Sequence, residues 1–155
     1  MKQSLALRFD RIIKENLPKR KKMMDVLFES ALPAELFYEK GVGVQSILKH
    51  TGRLTDFKGI YGFVEGDKVV YIDESAYVIR RIIRLYKGNS KYQKKLAHTI
   101  SSIRTLSQPA YKPKDALREM AQMKVVFMDV PDDLERRITT LFLQCQYECI
   151  YNRFE

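Results

Sequence analysis

Two short β-rich runs joined by a turn, Gly59-Ile60-Tyr61-Gly62-Phe63-Val64 and Val69-Val70-Tyr71-Ile72, constrain this chain more than any other feature. Glu65-Gly66-Asp67-Lys68 between them has turn chemistry, so the runs form an antiparallel hairpin. A lone hairpin is marginal in water and needs a further strand or a helix against its apolar face. The chain beyond it supplies both. Helical patterns cover Ala76 to Tyr86 and Ser90 to Leu106, Ser107 to Lys114 is a loop, and Met123 to Val130 is β-rich. Pro131-Asp132-Asp133 opens a last helix with acids at its positive end, its apolar stripe being Leu134, Ile138, Leu141, Phe142 and Cys145. The order from residue 58, β-β-α-α-β-α, predicts an α+β fold with a small three-stranded antiparallel sheet covered by helices.

The N-terminal third has a different texture. Leu5, Phe9, Ile12, Ile13 and Leu17 recur at helical spacing, and Pro18 is expected to stop that helix. A second helical pattern runs through Met24, Leu27 and Phe28, and shorter helices are predicted over 33–39 and 44–50. Residues 1–57 are therefore expected to form an all-helical extension, and 58–155 the sheet-containing domain. At 155 residues the chain is long enough to bury a substantial core.

Charge points to the partner. With 28 Lys+Arg against 19 Asp+Glu the net is +9, and polyphosphates are the usual partners of such a chain. Residues 79–104 carry Arg80, Arg81, Arg84, Lys87, Lys91, Lys94, Lys95 and Arg104 without one acid. Lys19, Arg20, Lys21 and Lys22 make a second basic cluster. Both are predicted to contact nucleic acid.

Other chemistry is excluded. Cys145 and Cys149 cannot build a disulfide framework or complete a zinc set, and at helical spacing near a core stripe they are expected to be buried thiols. There is no phosphate-binding glycine loop, dinucleotide fingerprint or zinc-protease motif. No run resembles a secretion signal or reaches membrane-spanning length. The chain reads as soluble and intracellular, cytoplasmic or nuclear. Its oligomeric state is open, a homodimer among the options.

The hairpin resembles the motif of the GIY-YIG nuclease superfamily. Gly59-Ile60-Tyr61 matches the first half, and Tyr71-Ile72-Asp73 matches two of three positions of the second. Arg81 stands ten residues beyond Tyr71, where the family has an arginine, and Tyr151-Asn152 resembles its terminal Tyr-Asn. The resemblance covers about 58–152 and implies a DNA endonuclease with one divalent metal ion, Mg2+ or alternatively Mn2+. Tyr61 and Tyr71 would then orient or deprotonate the attacking water, and Arg81 would clamp the phosphate. His98 stands on the second basic helix, where some members place a catalytic histidine.

Three positions depart from the pattern. Asp73 replaces a glycine and brings a negative charge to a phosphate site. Leu85 stands where many members have a histidine. The metal-binding glutamate is expected at Thr139 or Thr140, and neither is a carboxylate. Glu135, one turn before Thr139, is the candidate metal ligand in its place; otherwise it is an acid favoured by the helix N-terminus. These departures keep two alternatives open: a catalytically degenerate fold that binds nucleic acid or protein, and a basic α+β adaptor unrelated to nucleases.

Overall fold

The computed structural model describes residues 3–88 and 90–153. Helix α1 (Leu5–Arg11) runs through a π-helical segment, Ile12–Asn16, into α2 (Leu17–Glu29). Pro18 does not stop this helix. The wider π turn lets the Leu17 N–H reach the Ile12 carbonyl, and Pro18 falls in the first turn of α2, where its missing N–H costs least.

Then follow β1 (Leu32–Pro33), α3 (Glu35–Tyr38), α4 (Val44–His50), β2 (Gly59–Glu65), β3 (Lys68–Ser75) and α5 (Val78–Tyr86). The chain continues with α6 (Lys91–Arg104), α7 (Pro113–Gln122), β4 (Lys124–Asp129) and α8 (Asp133–Gln146). Helix α7 is an addition to the predicted order. Pro113 opens it, and Asp115 Oδ2 accepts the Lys112 N–H at 2.8 Å, a start signal that the nearness of Pro109 to Pro113 obscures in the sequence.

The sheet has four strands rather than three, in the order β1-β4-β2-β3, every pair antiparallel. The extra strand is β1, with Leu32 opposite Val125 and Pro33 opposite Lys124. Two residues including a proline carry no strand signal, so only the pairing reveals it. Strand β2 is central and covered on both sides, which explains its unbroken apolar run. Tyr61, Phe63 and Val125 pack with Ile79 and Ile82 of α5, Ile100 of α6 and Met120 of α7. On the opposite face Ile60, Val64, Val126 and Met128 pack with Met24 of α2 and Leu143 of α8.

The outer edge of β3 is covered by the C-terminus. Asn152 accepts the Ile72 N–H at 2.9 Å and donates to the Ile72 carbonyl at 2.8 Å, and the Tyr151 N–H donates to the Val70 carbonyl at 2.9 Å. Such cover removes an open edge that could pair with another chain. The terminal Tyr-Asn thus serves the sheet.

Helix α8 is rotated from the expected stripe. Arg136, Thr139, Thr140 and Leu143 are buried, whereas Leu141 is 54% exposed and Cys145 is exposed. Arg136 and Thr140 turn inward to partners there. Arg136 donates to the Val130 carbonyl at 3.1 Å, and Thr140 Oγ1 lies 3.4 Å from Glu74 Oε2. Of the two cysteines only Cys149 is buried, and burial pushes its thiol pKa up to about 12. Among the described residues no helix is long and apolar enough to cross a membrane.

Candidate phosphate-binding site

The register of the hairpin builds the site. Tyr61 lies opposite Asp73, and Phe63 opposite Tyr71, so Tyr61, Tyr71 and Asp73 share one sheet face. The Tyr71 hydroxyl donates to Asp73 Oδ2 at 3.0 Å and the Tyr61 hydroxyl to the same oxygen at 3.3 Å. Burial is the main reason both phenols are held above their ordinary pKa, and the Asp73 charge adds to it; Arg81 pulls the other way on both. A tyrosinate here would face the Asp73 carboxylate, so both hydroxyls stay protonated and act as donors.

Arg81 projects from α5 toward this pair. Its guanidinium stacks on Tyr92 of α6, 3.9 Å from the ring centroid. No ion pair among the described residues involves Arg81. Nor does one involve Arg80, Arg84, Lys87, Lys91, Lys94 or Lys95, whereas Arg104 of the same run is bound to Glu65 and Glu119. Lys91, Lys94, Lys95 and His98 recur at helical spacing and are all exposed, so His98 continues the outer basic row of α6, away from the inward face of that helix. Arg80 and Arg84 are exposed on α5, and Lys87 turns back to the Val42 carbonyl.

The second predicted cluster is dispersed over α2. Lys19 and Lys22 are exposed; Lys21 pairs with Asp25 at 2.8 Å and lies over the Tyr147 ring. Arg20 donates from Nε to Glu135 Oε1 at 2.9 Å, with both side chains largely covered. The candidate phosphate contact and the candidate metal ligand thus neutralise each other across α2 and α8. Leu85 is core, and His50 is exposed at the end of α4.

The divalent ion that the resemblance implies does not fit these residues. Glu135 is occupied by Arg20, Thr139 is buried with its hydroxyl unpartnered, and Thr140 donates to the Arg136 carbonyl at 2.7 Å. Glu74, next to Asp73, points through the opposite face toward Arg136 and Thr140. Among the described residues no three His, Cys, Asp or Glu side chains form a set that could hold a metal ion.

Two residues escaped the sequence reading. Tyr92 gave no signal of its own, since a tyrosine in a basic helix carries no motif. Asp56 lies in a loop, yet its carboxylate accepts the N–H groups of Ile79 at 2.9 Å and Arg80 at 3.0 Å, capping the first turn of α5 from outside. It thereby sets where Arg81 stands. Asp56→Ala is expected to cost about 1–2 kcal/mol in a urea melt. Wild-type stability would show that α5 is held by packing alone.

No protein-family model matches the chain, and no curated protein does. Among solved structures the chain is similar to the GIY-YIG N-terminal endonuclease domain of UvrC from Thermotoga maritima, a point mutant bound to its catalytic divalent cation. Identity is 15%, over 71% of this chain and 98% of that one, with a TM-score of 0.44. A second point mutant of the same domain is 14% identical over the same shares, also with a TM-score of 0.44.

Proposed function

We propose that this protein binds DNA through the face built by α5 and α6, seating one backbone phosphate at Arg81, without hydrolysing it. The observation that carries this reading is charge placement. Arg81 and the six other basic residues named above are in no ion pair among the described residues, whereas elsewhere Arg8, Arg20, Arg53, Lys58, Arg104 and Arg136 are each paired with an acid. A guanidinium stacked on an aromatic ring and left without a carboxylate is pre-organised for a phosphate. Asp73 fills the place a glycine would leave open and takes both tyrosine hydroxyls. Its charge keeps the phosphate at the outer side of Arg81, away from the hydroxyls.

The second reading is a DNA endonuclease using one Mg2+ or Mn2+ ion. It is favoured by one fact: Tyr61, Tyr71 and Arg81 converge on one sheet face, as hydrolysis by a GIY-YIG-type nuclease would use them. Incubation of supercoiled plasmid with magnesium, manganese or chelator separates the two. Binding without nicking is the expected result, and Arg81→Ala should weaken binding roughly tenfold through loss of one charge-assisted phosphate contact. Metal-dependent nicking that disappears in Arg81→Ala would overturn the first reading in favour of the second.

A further inference from the structure

The N-terminal end of α5 and the loop before β2 carry two exposed side chains that phosphate contacts leave unused. Tyr77, immediately before the helix, is 56% exposed, and the Arg80 guanidinium lies 5.1 Å from its ring centroid. Leu54, in the loop before β2, is 95% exposed. Tyr77 is held by Ser75, and the loop that carries Leu54 is tied to the same helix end. The Tyr77 N–H donates to Ser75 Oγ at 3.0 Å, and Ser75 Oγ donates back to the Tyr77 carbonyl at 3.1 Å. Asp56, two residues after Leu54, caps α5, and the Phe57 carbonyl accepts the Val78 N–H at 3.0 Å. The loop bearing Leu54 and the ring of Tyr77 therefore flank the helix end that presents Arg80 and Arg81.

A fully exposed leucine contributes nothing to the core, and an aromatic ring backed by an arginine among unpaired cations is the arrangement that stacks on nucleobases. Apolar side chains placed beside a phosphate-binding surface also act as wedges against base steps. Resting on the DNA-binding reading above, we infer that Tyr77 stacks on an unpaired base and Leu54 abuts the last base pair. The ligand class is then DNA with unpaired bases beside a duplex, such as an overhang or a fork, in preference to continuous duplex.

Fluorescence anisotropy with the full chain tests this, using a continuous duplex and the same duplex carrying a single-stranded overhang with 2-aminopurine at its first unpaired position. The overhang substrate is expected to bind about tenfold tighter, with the 2-aminopurine emission quenched by stacking. Tyr77→Ala should remove both preference and quench, Tyr77→Phe should retain both, and Leu54→Ser should reduce the preference. Salt-sensitive duplex binding with no preference for the overhang, or a quench unchanged in Tyr77→Ala, overturns the inference while leaving DNA binding intact. Salt-sensitive binding to neither substrate overturns both.

Discussion

Replacing Lys91, Lys94 and Lys95 together by glutamine is expected to lower DNA affinity about 500-fold at 0.1 M salt. Each phosphate contact on duplex DNA contributes about 0.9 to the slope of log affinity against log salt, so three contacts contribute about 2.7. Extrapolated from 1 M salt, where counterion release vanishes, that slope amounts to a factor of about 500 at tenfold lower salt. The three ammonium groups stand on one exposed face of α6 and share no ion pair, so their removal breaks no intramolecular contact with an acid. Melting temperature should therefore hold while the salt slope flattens. An unchanged slope would place this face in solvent and remove the basis of the DNA reading.

The largest effect on stability is expected from a single methyl group. A Cβ on Gly59 would lie 2.2 Å from the Met128 carbonyl oxygen and 3.0 Å from the Phe57 ring. Gly59 opens β2 against Asp129 of β4, and neither backbone can retreat without breaking the pairing of the two central strands. Gly59→Ala is expected to cost about 3–5 kcal/mol, a large part of what holds a domain of this size together. Gly43→Ala is the matched control. Its Cβ meets nothing within 4 Å and its backbone is extended, so a change within about 1 kcal/mol is expected, the loss of a helix-capping glycine. Urea melts of the two variants decide the matter, and a wild-type midpoint for Gly59→Ala would contradict the strand register.

The first glycine of the hairpin motif thus has a packing reason to be present, independent of any chemistry. Tyr151 and Asn152 are alike in this: they cover the β3 edge through backbone contacts at Val70 and Ile72. Part of what reads as a catalytic signature is the framework of the sheet.

Local pattern determined the hairpin, helices α5 and α6, the last helix with the acids at its start, and the concentration of basic residues on the α5–α6 run. Each rests on neighbours in sequence: β-rich runs joined by a turn, 3.6-residue spacing, and charge without acids nearby. Tertiary structure decided the rest. Whether Glu135 was free depended on Arg20, 115 residues away, meeting it across two helices. Which face of α8 turned inward depended on Glu74 and the Val130 carbonyl waiting there for Arg136 and Thr140. The orientation of Arg81 depended on Asp56 capping α5 and Tyr92 lying under the guanidinium. A sequence records which groups are present, but the free energy of a charged or polar group is set by what surrounds it once water is gone, and only the folded chain chooses those surroundings.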